Sequence, residues 1–225
     1  MTYVENIFVC LAAPLLIAMI MAGKKYYRFF LFVLAGMGAC LLSAYLNTFF
    51  ARLYEADLIN ASTQIAPLVE EVMKLLPLLF YLLIFDPESE IISGSVLTIA
   101  VSFATFENII YLTQSGAENL VHLLIRGFAT GAMHIVCGAI IASGLVYVWQ
   151  RPWLKIAGTT GLLGASITFH ASYNLLIAHG GVTRYIAYAL PLVSLLLARM
   201  IKKLAQRLPS PGGADREAGA SPGQS

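Results

Sequence analysis

The side chains whose types and spacing suggest chemistry are carboxylates, imidazoles and amides. Glu70, Glu71 and Lys74 fall in IAPLVEEVMK, Glu107 and Asn108 in FATFENIIY, Arg126 and His134 in RGFATGAMH, and His170 and Asn174 in HASYN. Glu70 and Lys74 are four residues apart, as are His170 and Asn174, while Glu71 and Lys74 are three apart. On helices each of these pairs shares a face. Carboxylates and imidazoles brought together can take a proton from water and return it to a leaving group. The same residue types bind zinc. Other hydrolytic arrangements are not readable: there is no serine–histidine–aspartate order, no cysteine beside a histidine and no His-Glu-x-x-His helix. Ser43, Ser102 and Ser172 read as hydroxyls packed between helices.

These residues have to be positioned by apolar segments. The chain is 59% hydrophobic and only 12% charged, against about 25% charged in ordinary soluble domains. That excludes a soluble multi-domain protein and predicts an all-α, polytopic transmembrane bundle. A charge at mid-bilayer costs roughly 2.5–3.5 kcal/mol on insertion scales. Glu70, Glu71 and Lys74, all within Ile65–Phe85, therefore need partners or a wet pocket. A span needs about 20 apolar residues, and seven candidates emerge: Ile7–Ala22, Phe29–Phe50, Ile65–Phe85, Ile91–Leu112, Val121–Trp149, Ile156–Ala178 and Val182–Met200. The fifth is long enough to be tilted, or broken near Gly138 or Gly144. Pro67 suggests a kink or helix start just before the glutamates.

Residues 1–204 read as one transmembrane domain, with the motif-bearing core over 65–178. Residues 205–225, ending in PSPGGADREAGASPGQS, read as a disordered tail. The N-terminal apolar run lacks a basic leader and reads as a retained span. Lys24, Lys25, Arg28, Arg151, Lys155, Lys202, Lys203 and Arg207 fall on one side of this topology, and only Arg52 and Arg184 on the other. The positive-inside rule then places the N-terminus outside and the C-terminus in the cytoplasm, in the cell (inner) membrane. Tyr147, Trp149 and Trp153 would mark the cytoplasmic interface. Cys10, Cys40 and Cys137 read as buried thiols.

Depth supports a common site. At about 1.5 Å per helical residue, Glu70 and Glu107 lie about 9 Å below the outer face, Arg126 about 8 Å, His170 about 12 Å and Asn174 about 6 Å. His134 comes out deeper, at about 20 Å. Gly127, Gly131 and Gly138 bracket His134 and would let a neighbouring helix approach it closely.

Taken in order, Glu-Glu-x-x-Lys at Glu70, Glu71 and Lys74, Phe-x-x-x-Glu at Phe103 and Glu107, a helix bearing His134, and His-x-x-x-Asn at His170 and Asn174 resemble the PrsW family. That family lies within the superfamily of CAAX-processing and bacteriocin-associated membrane proteases. The resemblance covers roughly Ile65 to Ala178. It implies an intramembrane or membrane-surface protease acting on membrane-anchored proteins, anti-sigma factors being the known type of substrate. It also implies that one of Glu70 and Glu71 is the catalytic carboxylate, Glu70 being preferred, with Glu107, His134, His170 and Asn174 completing the site. The wider superfamily has histidine where this chain has Glu107, which makes this site more acidic.

In this reading Glu70 deprotonates a water held also by His170 or His134. Asn174 and a histidine steady the oxyanion, and Glu71 or Glu107 holds a shared proton. Lys74 acts as counter-charge, with Asn108 and Arg126 as supporting residues. No cofactor is favoured, because the donors lack a local metal-binding spacing; zinc on Glu70, His134 and His170 is the alternative. The partners expected are a membrane-anchored protein substrate and the bilayer, with no nucleic acid. Two other classes compete: a proton-coupled transporter and a non-catalytic membrane scaffold. His122 and His179 read as interfacial residues, and Asp57 and Glu118 as solvated loop charges.

Overall fold

The computed structural model describes residues 4–85, 88–115 and 120–207. The expectations made for Glu118 and for the tail beyond Arg207 fall outside these residues. Apolar stretches separated by short turns fold into helices in chain order: α1 (Val4–Met21), α2 (Gly23–Leu53), the single turn α3 (Leu58–Asn60), α4 (Ala66–Ile84), α5 (Ser89–Ser115), α6 (Leu120–Trp149), α7 (Lys155–His179) and α8 (Gly181–Arg207). Among the described residues there is no strand.

Each expected span has its helix, and most of the helices overrun the apolar stretch. Lys24, Lys25 and Arg28 lie on the first turns of α2, and α8 runs to Arg207, past the expected domain limit at residue 204. Helical hydrogen bonding continues into the head-group zone, whereas hydropathy marks only the hydrocarbon part. α6 is continuous through Gly138 and Gly144 rather than broken. By length and composition α1, α2, α5, α6 and α8 can each cross a membrane. The other two long helices, α4 and α7, carry Glu70, Glu71 and Lys74, and His170 and Asn174. The chain is a helical membrane bundle. Its outer surface bears exposed apolar side chains such as Ile20, Phe80, Leu83 and Leu196, as a protein solvated by lipid requires. Cys10 is among the exposed residues rather than buried.

The bundle closes where small residues allow it. A Cβ on Gly36 of α2 would lie 2.0 Å from Ser102 Oγ and 2.5 Å from the Ile99 carbonyl of α5. A Cβ on Gly138 of α6 would lie 2.8 Å from Ala100 of α5, whereas Gly127 and Gly131 have nothing within 4 Å. The close approach expected around His134 is thus made at Gly138. An apolar layer from α2, α4, α5 and α6, including Phe32, Leu78, Ile99 and Leu145, fills one end of the bundle. Met37, Cys40, Phe103 and Phe106 pack between α2 and α5, and Met133, Cys137, Tyr173 and Ala187 between α6, α7 and α8.

Two irregular features lie at the opposite end. Asp57 is an exposed loop charge, as expected, and it also caps α3 by accepting from the Asn60 amide at 2.7 Å. Residues Ala61–Ile65 then form a π-helical turn leading into α4. Pro67, lacking an N–H, sits in the first turn of α4, directly after this π-helical turn. α7 reverses into α8 through Gly180 and Gly181, at φ 76° and 57°, a left-handed conformation that glycine adopts without steric cost. At the basic end Arg151 lies 3.5 Å from the Tyr147 ring centroid and Lys155 4.8 Å from that of Trp149, with Trp153 exposed nearby in sequence.

Candidate active site

The polar residues of α4, α5, α6 and α7 meet inside the bundle. Glu71 is 1% exposed and fully engaged. Its Oε1 accepts from Lys74 Nζ at 2.5 Å and from His170 Nδ1 at 2.8 Å, and its Oε2 accepts from Ser166 Oγ at 2.8 Å. A buried carboxylate is tolerated only with such partners. Lys74 spends a second proton on His134 Nδ1 at 3.0 Å and lies 4.9 Å from the Phe103 ring centroid.

These bonds assign the tautomers. An ammonium only donates, so His134 Nδ1 is an acceptor and its proton sits on Nε2, which donates to Glu107 Oε2 at 2.7 Å. Glu107 Oε1 accepts from Arg126 Nη2 at 2.8 Å, and the Arg126 guanidinium stacks 3.8 Å from the Tyr111 ring centroid. Arg126 is therefore an ion-pair partner within the cluster, not a residue reaching out to the interface. His134, deeper by residue counting, joins the others because Glu107 reaches one way to Arg126 and the other way to His134, two helical turns apart on α6.

Glu70 differs from its neighbour Glu71. Its Oε1 accepts from Asn47 Nδ2 at 3.1 Å, while its Oε2 stands 3.9 Å from His170 Nε2. His170 Nδ1 is taken up by Glu71, so Nε2 is the ring nitrogen turned toward Glu70. Glu70, Glu107, Arg126, His170 and Asn174 line a cavity of about 440 Å³, which extends past Leu58, Ile59 and Ser62 to Ile177 and Ala178. It thus reaches the end of the bundle formed by α3 and the α7–α8 turn.

Asn174 lines this cavity, and its Nδ2 donates to the Ser62 carbonyl at 2.8 Å, tying α7 to the π-helical turn. Asn108 lies elsewhere, in a pocket shared with Thr105, Leu123 and the far side of Arg126. His122 bonds the Tyr111 hydroxyl through Nε2 at 2.8 Å. Ser166, Asn47 and Tyr111 also touch the cluster, although none belongs to the motif positions above. Asn47 left a readable trace: it lies four residues after Ser43 in an otherwise apolar span, a spacing that puts both on one face of α2.

A sequence model described as PrsW family intramembrane metalloprotease matches residues 24–198. The chain belongs to the PrsW family. The match extends the earlier resemblance to α2 at one end and most of α8 at the other, and it makes this protein a membrane peptidase. Comparison with curated proteins and with solved structures gives no match.

The metal in the family description can be tested against the donor atoms. Glu70, His134 and His170 each offer one ligand atom, and these lie within 4.8 Å of one another. His170 is well prepared: its Nδ1 is held by a carboxylate and its Nε2 faces Glu70, the usual backing of a metal-bound histidine. His134 would have to give up one of its present bonds, that of Nδ1 to Lys74 or that of Nε2 to Glu107. The set fits zinc in donor type and proximity, with that rearrangement at His134. A second group, Glu71, Cys137 and His170, also lies within 4.8 Å, but both Glu71 oxygens are already engaged.

Proposed function

We propose that this PrsW-family peptidase hydrolyses membrane-anchored proteins of the anti-sigma-factor type, with Glu70 as the base that activates water. One observation carries the reading. Glu70 and His170 face the same cavity 3.9 Å apart and unbonded, a separation at which one water can touch both, while Glu71 has no free oxygen. Glu70 accepts the water proton as the oxygen attacks the scissile carbonyl, and returns it to the leaving amine. His170 Nε2 orients the same water. Arg126, held by Glu107, and the second N–H of Asn174 face the developing oxyanion. Glu71, Lys74 and Ser166 fix the His170 ring and its tautomer. His134 and Glu107 extend that order to Arg126.

The family description and the donor group favour a second reading, in which Glu70, His134 and His170 hold zinc. Zinc so held would supply a bound water of lowered pKa and a Lewis acid for the carbonyl. Glu70 then serves as a ligand rather than the base. The lysine- and arginine-poor end of the bundle carries the cavity mouth, which supports cleavage at the outer face of the membrane.

The test is reconstitution with a library of single-span fusion proteins. Wild-type protein cuts at least one member, and Glu70→Gln and His170→Ala do not. Wild-type cleavage rates in either variant overturn the proposal. Proton-coupled flux without cleavage would instead indicate the transporter class.

A further inference from the structure

We infer that α2 supports the active site from behind Glu70, with Asn47 as a positioning residue that shares a buried water with Ser43. The inference rests on the reading of Glu70 as the residue that acts on water. Its starting point is that Asn47 Nδ2 donates to Glu70 Oε1 at 3.1 Å. This bond leaves Oε2 as the oxygen turned toward His170 Nε2, at 3.9 Å. A glutamate has three side-chain torsions, and one anchored oxygen removes most of that freedom. The hydrogen bond that holds Glu70 thus decides which oxygen meets the substrate water.

The other observation is independent of Glu70. Asn47 Oδ1 and Ser43 Oγ are both buried and, among the described residues, have no hydrogen-bond partner. Ser43 is 1% exposed. Many helical hydroxyls in this protein bond back to their own helix, among them Thr48 to the Ala44 carbonyl, Ser102 to Thr98, Thr105 to Val101 and Thr168 to Gly164. Ser43, like Thr159 on α7, does not. Ser43 and Asn47 are four residues apart and so share one face of α2, and Asn47 reaches Glu70 of α4 from that face. Two unspent polar atoms in a packed interior cost free energy unless a water joins them. A water there accepts from the Ser43 hydroxyl and donates to Asn47 Oδ1. That fixes the Asn47 amide plane, so that Nδ2 and not Oδ1 faces the carboxylate.

The experiment is steady-state cleavage of a fluorogenic single-span peptide by full-length protein in proteoliposomes. It compares wild type, Glu70→Gln, Asn47→Leu, Asn47→Ala, Ser43→Ala and the Ser43→Ala/Asn47→Ala double variant. Asn47→Leu keeps the shape and removes the amide, so it separates positioning from packing. The expected result is a 10- to 100-fold lower kcat for Asn47→Leu and Asn47→Ala, with KM within twofold of wild type. Ser43→Ala is expected to lower kcat 3- to 10-fold, and the double variant to lose no more than Asn47→Ala alone. Wild-type kcat in Asn47→Leu, with Glu70→Gln inactive, overturns this inference and leaves the Glu70 reading standing. A double variant whose loss equals the product of the two single losses overturns the shared water. Activity in Glu70→Gln refutes the underlying reading itself.

Discussion

Lys74→Met puts the logic of the buried cluster at risk in a measurable way. Lys74 and Glu71 side chains are 5% and 1% exposed and 2.5 Å apart. Removing the ammonium leaves Glu71 with His170 and Ser166 as donors but without a formal counter-charge. Breaking a buried pair by deleting one partner costs about 3–5 kcal/mol. His134 Nδ1 loses its donor as well, adding about 1–3 kcal/mol for an unsatisfied buried acceptor unless the ring changes tautomer. We expect Lys74→Met to be destabilised by about 4–8 kcal/mol, or about 3–5 kcal/mol if the His134 ring changes tautomer. Glu71→Gln should fall in the lower of these ranges, because it strands the ammonium instead. The Lys74→Met/Glu71→Gln double variant removes both charges and should be less destabilised than the sum, with a coupling of at least about 1 kcal/mol. Equilibrium unfolding in mixed detergent micelles, followed by far-UV circular dichroism against the mole fraction of dodecyl sulfate, measures all four proteins. Wild-type stability in Lys74→Met, or strict additivity in the double variant, would refute the argument that Lys74 is held in place by its buried counter-charge.

Other expectations follow from particular contacts. Glu70→Gln should lower kcat by about 10²–10⁴, the usual worth of a general base, with unfolding within about 1 kcal/mol of wild type; Glu71→Gln should lose stability and activity together. Arg126→Lys should not rescue Arg126→Ala in the cleavage assay, because a lysine lacks the planar group that both bonds Glu107 and stacks on Tyr111. Gly36→Ala should destabilise the fold by about 1–3 kcal/mol or more, since the added carbon meets the Ile99 carbonyl, a backbone atom that cannot swing aside. Exhaustive chelation with metal analysis separates the two mechanisms: full cleavage by metal-free protein is expected if Glu70 is the base, and loss restored by one equivalent of zinc if Glu70 is a ligand.

Much of the architecture is legible in the sequence because the bilayer imposes a length on every apolar segment. Each stretch picked by hydropathy became a long helix, and the motif residues of four helices converge. Boundaries were less legible, since Lys24 and Arg28 are helical although too polar to count as hydrocarbon-spanning. Spacing put Glu70, Glu71 and Lys74 on neighbouring faces but could not tell the two glutamates apart. That distinction depends on Ser166 and Asn47, contributed by α7 and α2 at long sequence separation. Glycine spacing is a weaker guide: of Gly127, Gly131 and Gly138, only at Gly138 would an added Cβ meet another helix. Counting residues from a span end puts His134 deeper than the rest, because counting ignores the reach of the glutamate and arginine side chains between them.

The pairing pattern bears on how the chain enters the membrane during synthesis. Lys74 neutralises Glu71 within a single helix, and Arg126 neutralises Glu107 across one hairpin, α5 to α6. Each unit delivered to the translocation machinery therefore carries its own counter-ion and need not wait for a distant segment. Glu70 is the exception, a lone carboxylate whose compensation arrives only when α2 and α7 have docked, or when a proton or a cation joins it. The carboxylate that is completed last during assembly is then the one that later confronts the substrate.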